Sequence, residues 1–115
     1  MRRGEIVTVA FDPARGQEAS KTRPAVIVSN DAANGTATRL GRGVITVVPV
    51  TSSTDRIYPF QVLLPTQLTG LRCDSKAQAE QVRSVAVERI GKRIGQLPAA
   101  LMTELDQALR IHLSL

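Results

Sequence analysis

Arg23 stands where a basic, polar loop meets an apolar strand. The stretch from residue 21 to residue 30 reads Lys-Thr-Arg-Pro-Ala-Val-Ile-Val-Ser-Asn. Pro24 has no N–H and restricts the residue before it to extended geometry, so Arg23 is expected at the mouth of a strand. From there a permanently charged guanidinium with five N–H donors can grip an anionic group. An Arg-Pro pair before an apolar strand is more often a plain element boundary, so this reading needs support from the rest of the chain.

The sequence lacks the residues that several other kinds of catalytic or metal-binding site would need. His112 is the only histidine, which excludes zinc sites and catalytic arrangements that need a second histidine. Its spacing on the apolar face of a C-terminal helix indicates a structural role. Cys73, beside Arg72, is interpreted as an incidental small residue. The acids show no Asp-x-Asp spacing suited to Mg²⁺, and Gly41-Arg-Gly lacks the strand-to-helix context of a phosphate-binding loop. A metal-dependent nuclease or an NTPase is therefore disfavoured, and no cofactor or metal is expected.

The chemistry that remains is cleavage of RNA by its own 2′-OH. That reaction needs charge stabilisation at the phosphoryl oxygens and a proton relay, which Arg, Thr and Glu can supply. The candidates are Glu18, Arg23 and the polar run Thr51–Ser53, provided that the second and third strands are neighbours. Glu18 is equally well interpreted as one partner of a surface ion pair with Lys21 or Arg23.

Two further bases on or near these loops, Lys21 and Arg56, are expected to contact phosphates. Each can equally be an ordinary solvated charge.

The elements that must position these residues are mainly strands. Runs rich in β-branched and aliphatic residues, bounded by Gly, Pro and Asp, predict strands at Glu5–Phe11, Ala25–Ser29, Val44–Val50, Tyr58–Leu64 and Ile90–Leu97. The second strand is nearly all apolar and is expected to be central, with both faces covered. Residues 77–87 fit helix or strand, and their alternation favours strand.

Polar connections and one helix complete the prediction. Residues 12–22 form a long polar loop, residues 31–43 a turn region with at most one helical turn, and residues 66–74 a loop. Pro98 opens a C-terminal helix, a position where its missing N–H costs nothing. The helix carries Leu101, Leu105, Ala108, Leu109 and His112 on one face.

Bulk properties limit the protein class. A chain of 115 residues is expected to form one domain, residues 1–115, with an aliphatic core. A net charge of +5 favours an anionic partner, nucleic acid first and an acidic protein second, although a basic surface can serve solubility alone. One cysteine and the lack of a signal-peptide pattern favour the cytoplasm, and no apolar run approaches the roughly 20 residues that span a bilayer.

Five short motifs, in order along the chain, resemble those of the MazF/PemK toxins. They are Gly16-x-Glu18, Arg23-Pro24-Ala-Val-Ile-Val-Ser, Val48-Pro49-Val50-Thr51-Ser52, Tyr58-Pro59-Phe60 and Glu80-Gln81-Val82-Arg83-Ser84. Each motif alone is loose, but five at compatible spacing are specific, and the resemblance runs from residue 3 into the C-terminal helix.

The resemblance implies a fold and an activity. The fold is mostly β with a C-terminal helix, a small SH3-like barrel of the CcdB/PemK type that forms a homodimer. The activity is sequence-specific, metal-independent cleavage of single-stranded RNA, leaving 2′,3′-cyclic phosphate and 5′-OH ends and inhibiting translation and growth. The substrate would be mRNA, tRNA or rRNA, and a MazE-like antitoxin with an acidic C-terminal tail would cover the active groove.

Carried over by position, the resemblance implies roles for individual residues. Arg23 and Thr51 match the catalytic Arg and Thr, and Glu18 matches an acid tied to activity. The residues expected near bound RNA are Ser52, Gln81 and Ser84, and Ser53 is added as a neighbour of Thr51. The sequence departs from the family pattern at Val7, Ala10 and Gln17. The first two are expected to affect packing of strand one or the groove floor, and Gln17 the base preference.

Two alternatives stay open. The related CcdB toxins use the same barrel to poison DNA gyrase, but they share a C-terminal Trp-Gly-Ile ending, whereas this chain ends His112-Leu-Ser-Leu and contains no Trp. The other alternative is a barrel that binds RNA or protein without catalysis.

Overall fold

The computed structural model describes residues 1–12 and 21–115. The expectations for Glu18, for Gln17 and for most of the loop at residues 12–22 lie outside the described residues. None of the helices within those residues is long and apolar enough to cross a membrane.

Seven strands and three α-helices make up the described chain. The strands are β1 (Glu5–Asp12), β2 (Lys21–Ile27), β3 (Val44–Thr51), β4 (Gln61–Leu64), β5 (Ser75–Gln78), β6 (Arg83–Ala86) and β7 (Ile90–Gln96). The helices are α1 (Asp31–Leu40), α2 (Thr66–Thr69) and α3 (Ala99–Leu113), and short 3-10 turns occupy Ala79–Gln81 and Val87–Arg89. This confirms the mostly β class with a C-terminal helix.

All strand pairs in the sheet are antiparallel. The order is β4-β5-β3-β2-β1-β7, with β6 also pairing with β3. Among the described residues the path does not close on itself, because β4 and β7 lie at its two ends. Strand β2 is central, between β1 and β3, as predicted.

The two faces of this sheet are both covered, because side chains on a strand alternate between faces. On one face, Ile6, Val26 and Val48 pack with Leu101 and Leu105 of α3. On the other face, Val7, Ala25, Ile27 and Val47 pack with Ala37 of α1. The prediction that β2 is buried on both sides is confirmed.

Helix α3 begins directly after Pro98, as predicted, but its apolar face ends early. Leu101, Leu105 and Ala108 are buried, whereas His112 and the residues around it are exposed. His112 therefore does not pack against the sheet, because the last turn of the helix extends beyond the residues that the sheet covers. Packing of this helix on a second subunit stays a prediction.

Helix α1 was missed by the sequence reasoning, which took Asn34-Gly35 as a turn. Its start is capped by Asn30, whose side chain accepts the N–H of Ala33 at 2.8 Å, and its end by Gly41 at φ 64°. Asn34 is fully buried inside the helix, and its side-chain amide donates to the carbonyl of Ser29 at 2.8 Å. A satisfied buried Asn and two good caps outweigh the low helix propensity of Gly35.

Three smaller differences concern the second half of the chain. Residues 77–87 are not one strand, because the 3-10 turn at Ala79–Gln81 separates β5 from β6. Strand β4 begins at Gln61 rather than Tyr58, since the Gln61 N–H donates to the Tyr58 carbonyl at 2.8 Å and closes a turn there. The loop expected at residues 66–74 contains the one-turn helix α2.

Candidate active site

The hydrogen bonds between β2 and β3 stop just before Arg23. Residues Ile27 to Ala25 of β2 pair with residues of β3, and the last of these pairs joins Ala25 to Pro49. Neither Pro24 nor Pro49 has an N–H to donate, so the ladder cannot continue normally at this point. Arg23 remains paired with Val9 of β1. The first residues of β2 are thus held by β1 alone and leave an opening towards the end of β3.

That opening is a groove of about 990 Å³. Its walls come from β1, β2, the end of β3, the segment between α2 and β5, and β7. The lining residues are Thr8, Thr22, Arg23, Pro24, Val50, Thr51, Ser52, Leu71, Arg72, Cys73, Ser75, Lys92, Arg93 and Ile94.

The groove is strongly cationic. Its described lining includes four bases, Arg23, Arg72, Lys92 and Arg93, and no acid. Arg93 is neutralised by Glu5, whose carboxylate lies 2.7 Å from the Arg93 Nε. Among the residues described, the other three bases make no ion pair. Clustered like charges in a cleft concentrate anions there.

The hydroxyl groups of the groove are arranged around the end of β3. Thr51 is half-buried, and its Oγ1 accepts the N–H of Ser53 at 3.3 Å, which leaves the hydroxyl proton free to point at a ligand. Ser52 is exposed on the same wall. Ser75, in contrast, donates its hydroxyl to the Cys73 carbonyl at 2.9 Å.

The structure brings together three of the predicted site residues, Arg23, Thr51 and Ser52. Lys21 is the first residue of β2 and pairs with Asp12 of β1. If the β2–β3 register continued past Ala25 and Pro49, Arg23 would lie opposite Thr51. The two residues were expected to act together only if these strands are neighbours, and the strands are neighbours.

Four other predicted residues lie outside the groove lining. Ser53 follows Ser52 directly and is exposed. Ser84 is exposed on β6, with its Oγ 3.4 Å from the Thr46 Oγ1, and Gln81 is exposed in the 3-10 turn after β5. The Arg56 guanidinium lies over the Tyr58 ring, 5.0 Å from its centroid.

Tyr58 and Phe60 stack in parallel, with ring centroids 5.3 Å apart. Behind them, Lys76 is buried and donates from its Nζ to the Arg56 carbonyl at 2.8 Å, which anchors the Arg56 segment to β5.

Sequence reasoning missed three groove bases. Arg72 was noticed only as a neighbour of Cys73, and neither Lys92 nor Arg93 was considered. The Lys92-Arg93 doublet in a glycine-rich strand was a weak signal, but nothing local shows that both side chains face a site formed by β2 and β3. Of the departures from the family pattern, Val7 is buried in the core on the α1 side of the sheet, and neither Val7 nor Ala10 lines the groove.

Two carboxylates elsewhere have lowered pKa values. The backbone N–H of Arg3 is the main cause for Asp31, and the backbone N–H and the hydroxyl of Thr66 are the causes for Asp74. Asp74 follows Arg72 and Cys73, so these bonds to Thr66 fix one end of a groove wall. In the described part of the chain, no group of three or more His, Cys, Asp and Glu side chains is placed to hold a metal ion.

Comparison with known proteins gives a consistent result. Residues 2–113 match the family model described as the PemK-like, MazF-like toxin of type II toxin-antitoxin systems. The chain is 64% identical, over all of its length and 98% of the relative, to endoribonuclease MazF9 of Mycobacterium tuberculosis.

Solved structures agree with the sequence match. MazF of Deinococcus radiodurans (Form-I) superposes with a TM-score of 0.77 and 29% identity, covering 100% of this chain and 97% of that chain. A MazE-MazF structure from the same organism (Form-III) gives the same TM-score, identity and coverage.

Proposed function

Because the chain belongs to the PemK-like, MazF-like toxin family of type II toxin-antitoxin systems, we propose that it is an endoribonuclease that cuts single-stranded RNA in the groove beside Arg23. The observation that carries the proposal is the presence of Arg23 and Thr51 in one cationic groove without an acid in its described lining. A phosphodiester is the ligand that such a groove attracts, and these two side chains suit its chemistry.

The proposed reaction is attack by the 2′-OH of one nucleotide on its own 3′ phosphate. The 2′ oxygen loses its proton and bonds to phosphorus, the bond from phosphorus to the 5′ oxygen breaks, and that oxygen takes up a proton. The products are a 2′,3′-cyclic phosphate and a 5′-OH end. Because the nucleophile belongs to the substrate, the mechanism needs no metal-activated water.

Each proposed catalytic residue has a distinct role. Arg23 stabilises the negative charge of the phosphorane and can relay a proton to the 5′ oxygen, giving up one proton as it regains another. It does not act as a free base, because its guanidinium is protonated at rest. Thr51 donates its hydroxyl to a phosphoryl oxygen or orients the 2′-OH. Glu18 is proposed as the base or as the residue that orients Arg23.

RNA is proposed to contact six further polar residues. Ser52 lines the groove, and Ser53, Arg56, Gln81 and Ser84 are exposed outside its lining. Lys21, the first residue of β2, is the sixth. The exposed Tyr58 beside Arg56 supports these contacts, because its hydroxyl and the Arg56 guanidinium can both donate hydrogen bonds to RNA. RNA binding should therefore weaken as salt concentration rises.

Three further properties are part of the proposal. The protein acts in the cytoplasm, forms a homodimer, and is neutralised by a MazE-like antitoxin whose acidic tail enters the groove. The MazE-MazF structure of D. radiodurans supports the antitoxin, and the cationic lining supports the acidic tail. Free toxin would inhibit translation and growth by cutting mRNA, tRNA or rRNA.

The test is incubation of the purified protein with RNA in EDTA. We expect cuts that leave 5′-OH ends, and loss of at least about 100-fold in kcat for Arg23→Ala, as for the loss of a charge-stabilising donor. Thr51→Ala should also cleave RNA more slowly than the wild type. Both side chains are outside the core, so circular dichroism and the melting temperature should stay close to those of the wild type.

Full RNA cleavage by folded Arg23→Ala would refute the proposed mechanism. Inhibition of DNA supercoiling by gyrase, with no RNA cleavage, would refute the proposed activity.

A further inference from the structure

We infer that Lys76 is a positioning residue for RNA, which holds the Arg56 segment at a fixed place relative to Thr51. The ammonium group of Lys76 donates to the Arg56 carbonyl at 2.8 Å, and Lys76 lies opposite Thr51 in the sheet. One buried side chain therefore joins the end of β3, which carries the proposed catalytic Thr51, to the loop that carries Arg56. This inference rests on the proposed function, in which Thr51 and Arg56 both contact RNA.

Lys76 occupies the middle of a row across three strands. It lies opposite Thr51 of β3 on one side and opposite Leu63 of β4 on the other. Residues directly opposite each other in an antiparallel pair have side chains on the same face, with Cβ atoms roughly 4.5–5.5 Å apart. The Lys76 side chain therefore leaves the sheet beside that of Thr51 and on the same face.

The burial of Lys76 is unusual for a lysine. The residue is 8% exposed, and an ammonium group taken out of water costs free energy unless a carboxylate or several acceptors replace the water. In the part of the chain that the structure describes, Lys76 makes no ion pair. Its ammonium group contacts the Arg56 carbonyl and lies 6.0 Å from the centroid of the Tyr58 ring. Stability alone does not account for a lysine at this position, whereas a role in placing Arg56 does.

The side chain of Arg56 lies on a stack of aromatic rings. Its guanidinium is 5.0 Å from the centroid of the Tyr58 ring, and Tyr58 stacks in parallel on Phe60. A cation–π contact orients a guanidinium without using any of its five N–H donors. Because Arg56 is exposed, RNA can reach those donors.

A second buried side chain fixes the other end of the same loop. The Gln61 Oε1 accepts the backbone N–H of Tyr58 at 3.1 Å, and the Gln61 Nε2 donates to the Glu80 carboxylate at 2.8 Å. Glu80 directly precedes Gln81, another residue that is proposed to contact RNA. The loop backbone is therefore held at Arg56 and at Tyr58, and the second contact ties it to the turn that carries Gln81.

These two anchors hold Arg56 in place before RNA binds. A group that is already ordered loses less conformational freedom on binding, so its contact contributes more to affinity. Loss of the Lys76 ammonium group would release the Arg56 carbonyl while the Gln61 bonds remain. The binding of RNA to Arg56 would then have to order the loop as well.

The test compares Lys76→Met, Arg56→Gln and the double variant, with Arg39→Gln as the matched control. Methionine keeps the apolar stem of lysine and removes the donor and the charge. Arg39 is exposed on α1 and does not line the groove, so the control changes the net charge equally. The substrate is an RNA oligomer that the wild type cuts at one mapped site, and binding is measured with a 2′-deoxy nucleotide at that site to prevent cleavage.

We expect Lys76→Met to bind RNA about three- to tenfold more weakly, which is within the range of the net contribution of one hydrogen bond. It should also lose about 0.7 from the slope of log K against log salt, as for one phosphate contact on a single strand. Arg56→Gln should show the same losses, and the double variant should lose no more than Arg56→Gln alone, because Lys76 acts through Arg56. KM should rise while kcat stays near the wild-type value, and Arg39→Gln should match the wild type.

The melting temperature separates a positioning role from a structural one. Lys76→Met removes the cost of a buried ammonium group, so it should melt at or above the wild-type temperature even though it binds RNA less well. A lower melting temperature with unchanged RNA binding would show that the lysine is only structural. Lys76→Gln, whose side chain is one bond shorter, is the second variant, and it should show the same loss of RNA binding if Lys76→Met does not fold.

Two results in a protein whose wild type cuts RNA would overturn the inference alone. One is RNA binding by Lys76→Met or Arg56→Gln that equals that of Arg39→Gln. The other is an equal effect of Lys76→Met in the wild-type and Arg56→Gln backgrounds, because Lys76 would then not act through Arg56. A wild type that cuts no RNA would overturn the proposed function as well.

Discussion

Replacing Gly95 with alanine should destabilise the protein, whereas the same change at Gly35 should stabilise it. At Gly95 the new Cβ would lie 2.1 Å from the carbonyl oxygen of Thr69. The two backbones must separate by roughly 1 Å before this contact reaches 3.0 Å, the shortest that real Cβ atoms show, and a close-packed structure resists such a shift. Overpacking of this kind costs about 1–3 kcal/mol.

Gly35 lies inside α1, and nothing is within 4 Å of the position of its Cβ. Alanine is about 0.5–1 kcal/mol better than glycine in a helix interior, so the variant should gain about that amount. Both substitutions reduce the freedom of the unfolded chain in the same way. The difference between the two variants therefore reports the native contact at Gly95.

The measurement is thermal or urea unfolding at one fixed protein concentration, since assembly of subunits would make stability depend on concentration. A domain of this size should melt about 4–12 °C lower for Gly95→Ala and about 2–4 °C higher for Gly35→Ala. Equal stability of Gly95→Ala and the wild type would refute the close backbone contact. Lower stability of Gly35→Ala would refute the placement of Gly35 in an open helix position.

Two further predictions concern the ends of loops. Asp74 has a pKa below its ordinary 3.8 in the folded protein because Thr66 donates two hydrogen bonds to it, so its stabilising effect is complete above about pH 4 and is lost as the pH falls through its folded pKa. The melting temperature of Asp74→Asn should therefore be lower than that of the wild type at pH 7, and the gap should narrow in acid; a gap that does not depend on pH would contradict the assignment. Asn30→Ala removes the cap bond to Ala33 and should cost about 1 kcal/mol in urea unfolding, with Asn30→Gly costing less; an unchanged midpoint would show that the cap does not support α1.

The sheet could be predicted from the sequence because its strands have a strong local signal. Val44–Thr51 and the apolar part of β2 are almost uninterrupted runs of β-branched or aliphatic residues, and each ends at proline or a polar run. Helix α1 could not be found in the same way. Asn34 and Gly35 favour turns locally, and only the burial of Asn34 against Ser29 shows that they belong to a helix.

Some residues of the candidate site likewise have a local sequence signal, and others do not. Arg23 and Thr51 stand at the ends of predictable strands, so the sequence and the family resemblance were enough to name them. Arg72 and Lys92 could not be named, because their shared position depends on a bulge opposite Thr8 and on the contact of Gly95 with Thr69. Such contacts join residues far apart in the chain, and no local pattern encodes them.

Prolines and glycines define the groove from opposite sides. On the β2–β3 side, Pro24 and Pro49 cannot donate hydrogen bonds, so the ladder ends at Ala25 and the chain opens beside Arg23. On the β7 side, glycine permits a backbone approach that draws the segment after α2 against the sheet edge. Apolar substitutions in the core would therefore lower stability with little change in groove shape, whereas changes at these few backbone positions would alter the spacing between Arg23 and the bases across the groove.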